Sequence, residues 1–484
     1  MRKAFAPLAL VAALTSGCSL APPYQQPSLP IPSTFAVESA PGARTAGSIE
    51  WRDYFADPLL RAYLAAALAN NRDLAAAVAR IDEAHANFRI QNAQRLPALD
   101  LGGSGTRTQT PISVLESQAG ASGASGAPGP KTSITSNLYG AELAITAFEL
   151  DFWGRVRNLS EAQRRQYLAS VEGADAFRLA LISDVASTYL SIVAGEEGID
   201  LAQRTLQARL EGYNIAKARL DAGVTSSVDY DQSALLVWQA KSQLAELQRT
   251  SEQARNALMV LVGGPITTKL PTGRSIADQN LLGPINPGLP SDLLANRPDI
   301  RQAEQNLRGA NANIGAARAA FFPTINLTGN YGYESPALAG LFKGASQAWL
   351  FGGSVDLPIF DWGQRKARLD LSRAQRQELI ATYQKTVQTA FREVSDALVA
   401  RQRLEEEILS DEDTVKSEES LSETTESRYQ NGVSTYLEVL DARRNLFSAQ
   451  QTLIQLKSAA LQNSVSLYVA LGGNRQSYSR PEGR

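Results

Sequence analysis

Ile325-Asn-Leu-Thr-Gly-Asn-Tyr-Gly-Tyr333 alternates strictly: Ile, Leu, Gly, Tyr and Tyr on one parity, Asn, Thr, Asn and Gly on the other. That period of two is a strand with one apolar and one polar face. A returning strand repeats it, with Phe351, Gly353, Val355, Leu357 and Ile359 against Gly352, Ser354 and Asp356. Directly afterwards the pattern changes. From Gln364 to Asn431 there is neither Gly nor Pro, and Leu379, Tyr383, Val387, Ala390, Val394 and Leu398 keep a helical stripe that Leu404 and Ile408 extend. At 1.5 Å per residue such a helix could span on the order of 100 Å. It stops at Gln430-Asn-Gly-Val-Ser-Thr435, and a second helix, Tyr436 to Leu471, runs back to a Gly-Gly pair.

The whole unit occurs twice. Trp153-Gly154 recurs as Trp362-Gly363, Gly223-Val224 as Gly432-Val433 and Gly263-Gly264 as Gly472-Gly473, all 209 residues apart. Upstream, Asp73 matches Asp299 and Pro97 matches Pro323, 226 apart. The surplus of 17 (226 − 209) lies between Pro97 and Trp153 and is assigned to the Gly/Ser-rich stretch 119–130, a surface loop. The first copy opens with the helix Leu74 to Arg95 (Leu74, Val78, Ile81 and Phe88 at helical spacing). It supplies strands at Leu99 and Leu101 and from Tyr139 to Ala147, then a looser long helix containing Gly173, Gly195, Gly198 and Gly212. Its turn is Asp221-Ala-Gly-Val-Thr-Ser226, and its return helix runs from Tyr230 to Val262. The expected divisions are 1–17, a signal peptide; 18–58, an acylated N-terminal segment; 59–264, the first repeat (hairpin about 97–153, turn about 219–229); 265–290, a Pro-rich connector; 291–473, the second repeat (hairpin about 322–361, turn about 428–438); and 474–484, a tail.

Strands of about ten residues, with aromatic and aliphatic ends on one face, have the length of tilted membrane strands. Two hairpins give four strands, and an open four-stranded sheet cannot sit in lipid with its edges unpaired. Eight strands enclose a lumen filled by side chains; twelve, from three chains, are the smallest closure that leaves a passage. Helices of this length likewise need neighbours along them, as in a helical barrel.

The N-terminus carries an address. Arg2 and Lys3 precede an apolar core, Ala4 to Leu14, and Ser16-Gly17 lead into Cys18, the single cysteine. This resembles a bacterial lipoprotein cleavage site with acylation on Cys18. Ser19 in place of an aspartate implies sorting to the outer membrane of a Gram-negative cell. Removal of Arg2 and Lys3 leaves 45 basic against 49 acidic residues (47 − 2), so no basic nucleic-acid footprint stands out. No apolar run of 18 or more exists beyond the leader, so no transmembrane helix is expected. One His, His85, and one Cys make a transition-metal site improbable, and no cofactor is implied. No phosphate loop, Ser/His/Asp set or cleft-borne carboxylate pair points to catalysis; the reading is not an enzyme.

The connector leads into Leu289-Pro-Ser-Asp-Leu-Leu-Ala-Asn-Arg-Pro-Asp-Ile-Arg301, then Ala310-Asn-Ala-Asn-Ile-Gly315 and Phe321-Phe-Pro-Thr-Ile-Asn-Leu-Thr-Gly329. This run resembles the outer-membrane channel lipoproteins of RND-type multidrug efflux systems, in the TolC superfamily. Trp51-Arg-Asp-Tyr-Phe-Ala-Asp-Pro58 and Asn71-Arg-Asp-Leu74 are similar to the same family's opening. The resemblance implies a mainly α fold with a membrane β-barrel: a homotrimer with a 12-stranded barrel continued by an α-helical periplasmic tunnel. The implied partners are a periplasmic adaptor and an inner-membrane pump. The two turns become the tunnel's periplasmic end and the adaptor contact, through Arg219, Leu220, Gly223, Thr225 and Ser226 in the first and Arg428, Gly432, Val433 and Ser434 in the second. Leu437, with Glu438 and Asp441 on nearly one helical face, is expected to form an apolar plug and an acidic ring in a trimer, where crowded carboxylates raise one another's pKa. Tyr429 and Asp229 resemble part of a resting latch. The acidic run Glu405–Glu426 reads as a solvated face or as a cation-favouring tunnel lining. Two other readings remain open: a channel for type I protein secretion, and a non-channel coiled-coil scaffold.

Overall fold

The computed structural model describes residues 19–35, 46–112, 133–265, 270–279 and 285–473. Cys18, the loop 119–130 and the tail 474–484 lie outside them. The main elements are α1 (Pro58–Asn70), α2 (Arg72–Ala93), β1 (Asp100–Pro111), β2 (Ser133–Glu149), α3 (Arg155–Asp221), α4 (Ser227–Val262), α5 (Pro298–Ala319), β3 (Thr324–Ser335), β4 (Gln347–Asp356), α6 (Gln364–Gln430) and α7 (Tyr436–Ala470). The chain forms two compact units, and each draws on both copies of the repeat. Of the described residues, one holds 19–25, 84–112, 133–167 and 307–379; the other holds 26–35, 46–83, 168–265, 270–279, 285–306 and 380–473.

In the first unit the strands form one antiparallel sheet in the order β1-β2-β3-β4. The copies are therefore joined by β2 pairing with β3, as in Leu143↔Tyr331. The register sorts the faces. Leu101 lies opposite Leu143, Tyr331 opposite Trp349 and Ile325 opposite Val355. The opposite face carries Ser104, Glu142, Asn330 and Ser354, with the Asn330 amide donating to Glu142. The apolar face is open: Trp349, Phe351 and Val355 are all about two-thirds exposed. A bulge between Ile145 and Phe148 adds one residue to β2. One residue of the surplus given to the loop is therefore this bulge.

Helix α3 is a single 67-residue helix, the same length as α6. The expectation of a looser first-copy helix is corrected, and its glycines are seats for neighbours. A Cβ on Gly173 would stand 2.8 Å from Gln302, and one on Gly212 would stand 2.5 Å from the Tyr436 hydroxyl. One 18-residue window of α3 reaches a mean hydropathy of 1.4, apolar enough by length and composition alone to cross a membrane. Packing accounts for this apolarity: Leu181, Val185, Ala186, Leu190 and Val193 are core residues.

That core belongs to the second unit. Tyr383, Val387, Ala390 and Val394 of α6 are fully buried, as are Leu60 and Leu64 of α1 and Val465 of α7. Tyr54 stacks on Tyr468 at 4.4 Å, and the Tyr54 hydroxyl donates to the Ser464 carbonyl at 2.7 Å. Asp57 caps α1, accepting from the Leu59 amide at 2.8 Å. Its other oxygen accepts from the Tyr189 hydroxyl at 2.7 Å and from Gln279 Nε2 at 2.6 Å. Burial raises the Asp57 pKa, but these hydrogen bonds outweigh it and the net shift is downward.

The Arg-Pro-Asp-Ile-Arg run begins α5, with Pro298 at the first helical position. Arg297, nearly buried, binds Asp299 at 2.7 Å, Glu393 at 2.8 Å and the Ala470 carbonyl at 2.9 Å. Arg301 pairs with Glu172 at 2.7 Å. The most specific stretch of the sequence is thus a structural clamp joining α5 to α6 and α7. The N-terminal segment packs on helices in both units. In the first, the Ser19 hydroxyl donates to Asn158 at 3.1 Å and Asn311 donates to the Pro22 carbonyl at 2.6 Å. In the second, Gln26 donates to the Tyr383 hydroxyl at 3.0 Å and Phe35 stacks on Phe391 at 5.2 Å.

Candidate functional site

The two helix-turn tips lie in the second unit and are built alike. The Gly223 amide donates to Leu220 O and the Val224 amide to Arg219 O, both at 2.9 Å; Gly432 to Tyr429 O and Val433 to Arg428 O repeat both bonds at 2.9 Å. These are the closing bonds of a left-handed C-terminal cap. Gly223 and Gly432 have φ of 69° and 74°, and a Cβ on either would meet nothing within 4 Å. The turn therefore needs glycine for its backbone angle and not for space. Val224 and Val433 project from the tips, each about two-thirds exposed.

Past the turns the copies diverge. The Ser226 hydroxyl caps α4 by accepting from the Asp229 amide at 3.4 Å, and Asp229 accepts from the Thr225 hydroxyl. At α7 the capping is reciprocal. Thr435 accepts from the Glu438 amide at 3.4 Å, while Glu438 Oε1 accepts from the Thr435 amide at 3.3 Å. Glutamate has the extra methylene needed to reach back to the cap amide, and Asp229 does not. The Thr435 amide, helped by the Thr435 and Ser434 side chains, holds the Glu438 pKa below its ordinary value. Within one chain Glu438 is thus committed to capping its helix. The expectation that crowding raises its pKa is opposed by that cap, and such crowding could arise only between copies.

Leu437 is half-exposed, and Asp441, one turn on, pairs with Arg444 at 3.1 Å. Tyr429 does not meet Asp229. Its hydroxyl accepts from Arg219, whose guanidinium also lies 5.4 Å from its ring, and the ring packs on Tyr436 at 5.2 Å. Asp229 is already engaged by Thr225, so within the chain the tie between the two tips is Arg219–Tyr429. Sequence reading placed Arg219 at the tip but gave it no partner. It also missed the bracing behind the tips: Tyr213 and Tyr230 joined hydroxyl to hydroxyl at 2.8 Å, and Arg443 on Glu426 at 2.6 Å. The acidic run is partly neutralised along α6, by Lys457 on Glu412 at 2.9 Å and Lys416 on Asp413 at 2.9 Å. His85 stands beside Tyr167 with ring centroids 5.1 Å apart, and no acid or His/Cys cluster suited to a metal occurs among the described residues.

Comparison with known proteins matches this architecture. The family model "outer membrane efflux protein" covers residues 63–264 and 289–473, one match for each copy of the repeat. The chain is 41% identical over 478 residues to the probable efflux pump outer membrane protein TtgC of Pseudomonas putida, covering 98% of this chain and 96% of that one. It is 37% identical over 475 residues to the cation efflux system protein CusC of Escherichia coli, covering 96% and 98%. Among solved structures, the open state of the MtrE outer membrane channel of Neisseria gonorrhoeae superposes with a TM-score of 0.84 at 36% identity, covering 96% of this chain and all of that one. The chain belongs to the outer membrane efflux protein family and is the outer-membrane channel component of an efflux system.

Proposed function

We propose that three copies of this chain close a 12-stranded barrel in the outer membrane, continued by an α-helical periplasmic tunnel. The assembly is a passive exit duct for drugs and other small molecules, fed by an inner-membrane RND-type pump through a periplasmic adaptor that grips the helix-turn tips. The observation that carries the reading is the open four-stranded sheet. One face is apolar and exposed, and its edge strands β1 and β4 have no strand partner among the described residues. In lipid those edges must be paired, because no water is present to satisfy their amides and carbonyls. Three chains of four strands close the sheet with room for a passage.

Acylation of Cys18 would add a lipid anchor. It is supported by the small residues before it and by the bond from the adjoining Ser19 to Asn158, just after the sheet gives way to α3. The gate is assigned to the tips, with Leu437 as the apolar plug, Asp441 as the acidic ring and Tyr429 with Arg219 as the tie that keeps the two helical hairpins together.

A deletion strain becomes sensitive to a panel of antibiotics, dyes and detergents and is rescued by the intact gene. Rescue of protein export without drug resistance would instead favour the secretion reading. In planar bilayers, Asp441→Ala combined with Tyr429→Phe raises single-channel conductance several-fold. Conductance equal to that of the unaltered trimer removes the gate from these residues.

A further inference from the structure

The repeat predicts not only that the sheet closes between copies but in which register. Inside one chain, the junction between the copies is β2 on β3, with Ile145 opposite Gly329 and Phe148 opposite Leu327. Below the strands, the Leu150 amide donates to Ile325 O at 2.8 Å. The Trp153 indole N–H donates to Pro323 O at 2.9 Å, and its ring stacks on Phe322 at 4.7 Å. Each residue has a counterpart in the other copy: Leu150 in Ile359 and Trp153 in Trp362, 209 residues on, and Phe322 in Leu96, Pro323 in Pro97 and Ile325 in Leu99, 226 residues back.

The counterparts are bare. Ile359 is 91% exposed, Trp362 90%, Leu96 71% and Leu99 63%, whereas Leu150, Trp153 and Ile325 are only partly exposed. The same apolar lock is therefore made once inside the chain and left open at its two outer edges.

We propose that β4 of one copy pairs antiparallel with β1 of the next in the register set by this internal junction, and that the Trp362 indole donates to the Pro97 carbonyl of the next copy. The proposal rests on the trimeric reading above. Below the bulge, Phe148 opposite Leu327 translates to Leu357 opposite Leu101 of the next copy. Above it, the extra residue in β2 changes the spacing from 209 to 210, so Ile145 corresponds to Val355 and lies opposite Gly103 of the next copy. Both routes give position numbers that sum to 458, so the new junction needs no bulge of its own. The faces agree too: Leu101 and Gly103 share the sheet face that carries Val355 and Phe351.

Paired cysteines test this in the full-length protein in native membranes. Val355→Cys with Gly103→Cys is compared with Val355→Cys with Leu101→Cys and with Gly105→Cys, using each single variant as the control for Cys18. A slip of two residues moves the partner by about 7 Å, beyond easy disulfide reach, so the 355/103 pair should give at least ~10-fold more covalent trimer on oxidation than either neighbour. Maximal cross-linking at 101 or 105 overturns the register while leaving the trimer intact. Trimers on native gels with no cross-link at any of the three pairs overturn the proposed junction. Monomers alone overturn the trimeric reading itself. In parallel, Trp362→Phe lowers the temperature at which trimers dissociate on detergent gels more than Trp153→Phe does. An unchanged temperature for Trp362→Phe overturns the indole contact.

Discussion

Asn71 and Arg297 hold the same place in the two copies, 226 residues apart, and solve the same problem with different chemistry. Asn71 Nδ2 donates to the Leu261 carbonyl at 2.8 Å; Arg297 Nη1 donates to Ala470 O at 2.9 Å, and Leu261 and Ala470 are themselves counterparts 209 apart. Each side chain ties the start of one helix to the last turn of a return helix. The second copy adds ions: Arg297 also meets Asp299 and Glu393. The first-copy counterpart of Glu393 is Asp184, which meets no such cation among the described residues, and desolvation raises its pKa. The backbone geometry of the duplicated module has been kept while the two copies diverged in how much charge they bury.

That comparison can be broken or sharpened by measurement. The largest effect is expected from Arg297→Ala, which leaves the Glu393 and Asp299 carboxylates without their cation and a buried carbonyl without its donor. A loss of about 1.5–3 kcal/mol follows for hydrogen bonds to a charged group whose partner carboxylates stay partly solvated, against about 1 kcal/mol for the single neutral hydrogen bond lost in Asn71→Ala. Denaturant unfolding in detergent reads both, and equal losses would show that the ionic clamp adds nothing to the shared hydrogen bond.

Next in size is a contrast between glycines. Gly263 and Gly472 end the return helices with φ of 88° and 90°, and a Cβ would fall 2.3 Å from Asn70 O and 2.9 Å from Asn296 O. Gly263→Ala therefore meets both a strained angle and a backbone clash and should cost well over the roughly 1–2 kcal/mol of left-handed strain alone. Gly223→Ala at the tip, with open space around it, should cost only that strain. A thermal midpoint that falls equally in both variants would remove the role given to close packing at the helix junction.

The smallest effect is at the tips. Glu438 has a depressed pKa, so its cap stabilises α7 above the unfolded-state glutamate value of about 4.3 and is lost as pH falls through the lower folded value. The protection factor of the amides in the first turn of α7, taken against the intrinsic exchange rate at each pH, should fall on acidification in that window. Protection at the start of α4, where Ser226 caps without a reciprocal glutamate, should change less.

Much of this was legible in the sequence because the duplication makes every assignment twice. The period-two runs gave the strands, the Gly-Val and Gly-Gly pairs gave the tips and helix ends, and the constant spacings gave the correspondence between copies. The stripe Tyr383, Val387, Ala390, Val394 is the buried stripe of α6. The glycines of α3 misled, because helix propensity is local and a glycine lost to propensity can be regained where a neighbour packs against it. At the tips, sequence could name Tyr429, Asp229 and Arg219 but not which pair would meet, since Thr225 lies close enough to take Asp229 first.

The sequence by itself determined the module, its duplication and the alternation that makes one sheet face apolar, because these are periodicities written residue by residue. Only the tertiary structure decided which strands meet, where the bulge shifts the count, and that the Arg-Pro-Asp run clamps helices together. Those outcomes depend on groups far apart in the chain, such as Arg297 with Ala470, 173 residues on, and Asp57 with Gln279, 222 residues on, brought together by burial, and no local pattern encodes that distance.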